Sequence, residues 1–99
     1  MENAQLNGLR VMVIDDSKTI RRTAETLLVK EGCSVMTAVD GFEALAMISD
    51  HQPHIIFVDI MMPRLDGYQT CALIKNNQQF KNTPVIMLSS KDGLFDKAR

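Results

Sequence analysis

Three aspartates in this sequence are placed to do chemistry, and they stand at the ends of two apolar runs. Asp15 and Asp16 follow Val11, Met12, Val13 and Ile14, and Asp59 follows Ile55, Ile56, Phe57 and Val58. A carboxylate at the end of a buried strand costs free energy unless it faces a site that answers its charge. Two such ends imply one shared acidic pocket. Two carboxylates ~4 Å apart repel by ~4 kcal/mol at an effective dielectric of ~20. Three together hold a proton or recruit a cation. The donors are all oxygen, with no His or Cys among them, which suits Mg²⁺ rather than zinc. The same site can do phosphoryl transfer, in which one acid attacks phosphorus and becomes an acyl phosphate. Asp59, alone on its run, is the candidate nucleophile, and Asp15 with Asp16 is the candidate metal pair. Ser89 and Ser90 end a further run that starts at Pro84, and they offer hydroxyls to a newly made phosphoryl group.

The elements that must position these residues can be read from pattern. Residues 1–8 are polar and are expected to fray. A first strand spans 9–14. Ser17 caps a helix from Lys18 to about Glu31, with Ile20, Ala24, Leu27 and Leu28 inward and Arg21, Arg22, Glu25 and Lys30 on the solvent side. Gly32 stops it. A second strand spans 34–39, Asp40 and Gly41 turn the chain, and a short helix over 42–49 is expected to bury Phe42, Leu45 and Ile48. A third strand spans 54–58. Pro63 and Gly67 break the loop after it, a helix follows over 68–75, and a fourth strand spans 84–88. Another helix begins near Lys91. Strands alternating with helices predict an α/β domain with a mostly parallel, doubly wound sheet. Ligands of such sheets bind beyond the carboxyl ends of the strands, where strand order reverses. The order 2-1-3-4 would place the three acids there; that order is inferred from the chemistry of the acids, and periodicity alone does not give it.

Bulk properties narrow the function classes. The chain has 99 residues, 11 Lys plus Arg, 12 Asp plus Glu and a net charge of −1. That length allows one domain with one modest core, and the charge balance gives no electrostatic reason for a nucleic acid partner or an anionic membrane. No apolar run approaches the ~20 residues of a membrane span, and Met1–Arg10 has no secretory h-region. Cys33 and Cys71 lack metal-ligand spacing and are read as reduced, so a cytoplasmic location is expected. His51 and His54 receive no role.

Four segments carry a resemblance: Val-Ile-Asp-Asp-Ser at 13–17, Phe-Val-Asp-Ile-Met-Met-Pro at 57–63, Leu-Asp-Gly at 65–67 and Pro-Val-Ile-Met-Leu-Ser-Ser at 84–90. Together they resemble the CheY-like response-regulator receiver domain, from about residue 9 to the last. The segments at 15–22 and 89–98 are similar to the receivers of chemotaxis-like systems that control type IV pili and twitching motility. The resemblance implies that Asp59 accepts phosphate from a histidine kinase or a phosphotransfer domain. It implies that Asp16, Asp59 and the backbone carbonyl of Met61 ligate Mg²⁺ directly, and that Asp15 acts through water. Ser89 matches the switch hydroxyl and Ser90 the small residue beside it. Pro63 and Gly67 shape the loop after the acceptor. Output would pass to a downstream pilus-related protein, with no enzyme activity beyond self-phosphorylation and dephosphorylation.

The family also has a fifth strand ending in Lys-Pro and a fifth helix, and the sequence ends at Arg99 before both. A receiver incomplete at its C-terminus is therefore expected, with the fourth strand as an edge and self-association or instability as a consequence. Two other functions stand beside this one: a Mg²⁺-dependent aspartyl phosphatase-like enzyme, which lacks a second acid at Met61, and an interaction module that is never phosphorylated.

Overall fold

The structure, a computed structural model, describes residues 7–62 and 65–88. Four strands and three helices alternate: β1 (Arg10–Ile14), α1 (Lys18–Lys30), β2 (Ser34–Ala38), α2 (Gly41–His51), β3 (Ile55–Asp59), α3 (Gly67–Lys75) and β4 (Val85–Leu88). The strands form one parallel sheet in the order β2-β1-β3-β4. This is the expected doubly wound α/β arrangement, and β1 and β3 are neighbours. The helix expected from Lys91 lies outside the described residues.

Each helix starts where a short polar side chain can take a free backbone N–H. Ser17 Oγ accepts from Ile20 N at 3.3 Å, and Asp40 Oδ1 accepts from Glu43 N at 2.9 Å. Asp66 opens α3 with a reciprocal capping box: Gln69 N donates to Asp66 Oδ1 at 2.8 Å, and Asp66 N donates to Gln69 Oε1 at 3.3 Å. Helix α1 ends as Gly32 predicts. Its φ of +93° suits glycine, and the last carbonyls are taken by Gly32 N and Cys33 N, on Val29 O at 3.0 Å and Leu28 O at 3.1 Å.

The sheet separates two cores. On one face Met12, Ile14, Ile56 and Val58 pack with Ala44 and Ile48 of α2, Ile74 of α3 and Phe80. On the other, Val11 and Val13 pack with Ala24 of α1 and Cys33. Full burial of side chains such as Met12 and Ile56 contributes about 1.5–3 kcal/mol each. Continuous burial along β1 explains its unbroken apolar run.

Two inward assignments are corrected. Phe42 is 53% exposed, and α2 instead buries Gly41, Ala44 and Ile48. The reason is close approach: a Cβ at Gly41 would strike Thr70 Oγ1 and lie 2.7 Å from Leu65 Cδ2. Small residues let α2 reach α3 there, and the bulky neighbour turns out. Leu27 is likewise 51% exposed, because it lines an open cleft between α1 and the sheet instead of the closed core, where α1 buries Ala24.

Candidate functional site

Asp15 and Asp59 meet because their strands are paired in register. Ile14 lies opposite Val58, so the next residue on each strand leaves the sheet at the same place. Asp59 is the last residue of β3 and Asp15 the first after β1. One carboxylate oxygen from each of Asp15, Asp16 and Asp59 lies within 4.8 Å of the others. Asp15 and Asp59 are buried, at 6% and 1% exposure, while Asp16 is exposed.

Asp15 is held at three atoms. Its N–H donates to Ala38 O at 3.0 Å, its Oδ1 accepts from Ser17 N at 2.8 Å, and its carbonyl accepts from Arg21 Nη1 at 2.8 Å. Burial pushes the Asp15 carboxyl up to about 6; the Ser17 N–H opposes this, the charges of Asp59 and Asp16 add to it, and Arg21 opposes it. Desolvation favours the neutral acid, and so do neighbouring anions. The group therefore strains against full ionisation at neutral pH, and a hard cation among the oxygens would relieve it.

The loop after β3 folds over Asp59. Met61 N donates to Asp59 Oδ1 at 3.1 Å, and Met62 N and Gly67 N both donate to Ile60 O at 3.2 Å. Met62 is buried as an anchor, while Met61 is 54% exposed at the rim. Gly67 opens α3 against the backbone of Asp59 and Ile60, where no Cβ would fit without a shift. Beside the acids an apolar cleft of about 190 Å³ runs between α1 and the sheet, lined by Ile20, Leu27, Leu28, Phe57 and Leu88 and reaching Asp15 and Asp59.

All three predicted acids are thus brought together, and Met61 reaches Asp59 through its backbone. Ser89, Ser90 and Pro63 lie outside the described residues. The histidines sit at the other end of the sheet: Arg10 N donates to His54 Nδ1 at 2.9 Å, and His51 Nε2 lies 3.1 Å from Val11 O. Pattern reading put Arg21 on a solvated face; it is half-buried and bonded to Asp15. Its place one turn after the Ser17 cap, with its N–H on Ser17 O at 3.0 Å, was the one local signal, and it does not name the Asp15 carbonyl as partner. Thr70, fully buried and donating to Leu65 O at 3.3 Å, was also missed.

Comparison with known proteins decides the family. Residues 11–99 match the response regulator receiver domain. The chain belongs to the response-regulator receiver family. This receiver is 81% identical over 95 residues to protein PilG of Pseudomonas aeruginosa, a match covering 96% of this chain and 70% of that protein. Chemotaxis protein CheY4 of Vibrio cholerae superposes with a TM-score of 0.82 at 32% identity, covering 92% of this chain and 76% of that one. The receiver domain of the Arabidopsis thaliana histidine kinase CKI1, solved with Mg²⁺ and BeF₃⁻, superposes at 0.80 with 30% identity, covering 99% of this chain and 76% of that one. The receiver is a signalling module of the kind that takes phosphate from histidine kinases, and its acids form a cluster typical of the family's metal site. No described helix is long and apolar enough to cross a membrane.

Proposed function

We propose that this receiver accepts a phosphoryl group on Asp59, and that the modified site then changes a protein-binding surface. The observation that supports this most directly is the convergence of three carboxylates within 4.8 Å at the ends of two paired strands. Asp15, Asp16, Asp59 and the Met61 carbonyl would hold Mg²⁺, Asp15 through water. The donor set fits, since it is all oxygen and needs a positive charge. When bound, Mg²⁺ neutralises charge on the phosphoryl oxygens.

The chain's own residues do the rest. The Asp59 carboxylate forms a new P–O bond as the P–N bond of a donor phosphohistidine breaks, and the freed imidazole takes up a proton. The Met61 N–H holds Asp59 Oδ1 and thereby sets the direction of the carboxylate. Phosphorylation adds nearly two negative charges and three acceptor oxygens. Ser89, one residue beyond β4, is the switch hydroxyl that answers them, and Ile60 N, which donates to Leu88 O at 2.8 Å, ties that strand end to the acceptor loop. Donor and output are a histidine kinase or phosphotransfer domain and a pilus-related protein, a choice supported by the likeness to PilG and by the motifs at 15–22 and 89–98.

The test is a titration with beryllofluoride, a phosphoryl mimic, followed by amide NMR shifts. The site should respond to the anion only with Mg²⁺ present. An equal response in EDTA, or none in either condition, would refute the proposal.

A further inference from the structure

We infer that Arg21 is a positioning residue for the metal pair: it holds the peptide that joins Asp15 to Asp16, and so aims the Asp16 carboxylate into the pocket. The inference rests on the reading of the acids as a divalent-cation site.

The argument starts from what holds each acid. Asp15 and Asp59 have carboxylates oriented by backbone N–H groups, from Ser17 and Met61. Asp16 is exposed, and no hydrogen bond to its carboxylate is found among the described residues. Its direction therefore depends on its backbone. The Asp15 carbonyl and the Asp16 N–H share one planar peptide, so fixing the carbonyl fixes where the Asp16 Cα begins. Arg21 Nη1 does this at 2.8 Å. Arg21 is itself anchored in the first turn of α1, where its N–H donates to Ser17 O at 3.0 Å. The guanidinium thus braces the helix back to the strand end through a part-buried hydrogen bond, and the residue as a whole is half-buried.

Charge and position predict opposite signs. Arg21 is a cation beside a cation site, so electrostatics alone says that removing it tightens Mg²⁺ binding. If it braces the Asp15–Asp16 peptide, removing it weakens binding. Groups that orient metal ligands typically give about 10–100-fold losses in affinity when removed.

The experiment uses the full gene-encoded chain, with Arg21→Met to keep the packed stem and Arg21→Lys to keep the charge and one donor. Mg²⁺ affinity is measured by calorimetry and folding by thermal melting. The expected result is a Kd about 10-fold or more weaker for Arg21→Met, with Arg21→Lys recovering part of the loss, at temperatures where both variants are folded. An unchanged or tighter Kd in Arg21→Met, whatever happens to the melting temperature, overturns the inference and leaves the metal site standing. A wild-type chain that binds no Mg²⁺ overturns both.

Discussion

Gly67, the first residue of α3, rests on the backbone of Asp59: a Cβ built there would lie 2.7 Å from the Asp59 carbonyl oxygen and 2.8 Å from Ile60 Cα. The helix can begin at this point only because the residue has no side chain. The atoms it would strike are main chain, and a strand end cannot swing aside as a side-chain tip can. Gly67→Ala should therefore move Asp59 as well as strain the fold. Overpacking of this kind costs about 1–3 kcal/mol. Thermal melting should show that loss, and Mg²⁺ titration should show weaker binding. A variant with wild-type stability and affinity would mean that the contact relaxes freely.

Gly41 makes the second close approach, and here the neighbours are side chains. A Cβ would meet Thr70 Oγ1 and Leu65 Cδ2. Gly41→Ala is expected to destabilise by about 1–3 kcal/mol. Thr70→Ala removes one of the obstructing atoms, so the double variant should lose less than the sum of the singles. Denaturant melts of the four proteins check this; strict additivity would show that the two residues do not compete for the same space.

Metal-free stability should depend on pH through Asp15. Its ordinary value of 3.8 is raised to about 6 in the fold, chiefly by burial. Between those values the native state holds a proton that the unfolded chain has released. Stability therefore falls as pH rises from about 4 to about 6 and stays lower above that window. The cost is on the order of 1–3 kcal/mol. Asp15→Asn should remove this part of the slope and be the more stable protein at pH 7 in EDTA. Parallel pH profiles for the two proteins would contradict the shift.

Asp59→Asn should act on the same group from outside. The Asp59 charge is one cause of the raised Asp15 carboxyl, so its removal should lower the Asp15 midpoint, read from carboxyl ¹³C shifts. The variant should also accept no phosphoryl group. A midpoint that does not fall would mean that burial alone sets it.

The legibility of this chain divides along physical lines. Asp15 and Asp59 were readable because an acid ending a run such as Ile55–Val58 has few bland explanations, and the parallel register of Ile14 with Val58 then makes them meet. Cap residues were readable for a similar reason: Ser17 and Gly32 are local signals with local partners. Phe42 was misread because hydrophobicity says nothing about how near two elements come; Gly41, against Thr70 and Leu65, sets that distance. Arg21 was misread because its partner is a backbone carbonyl, which leaves no mark in a charge pattern. His51 and His54 bond backbone groups at the far end of the sheet, which no spacing in the sequence announces.

Chemical mapping of the phosphorylated residue tests the central claim most directly. The full gene-encoded chain is incubated with Mg²⁺ and acetyl phosphate, treated with borohydride, which reduces an aspartyl phosphate to homoserine, and mapped by mass spectrometry. The account predicts homoserine at position 59, dependent on Mg²⁺ and lost in Asp59→Asn. Homoserine at Asp15 or Asp16, or labelling that persists in Asp59→Asn, would contradict it.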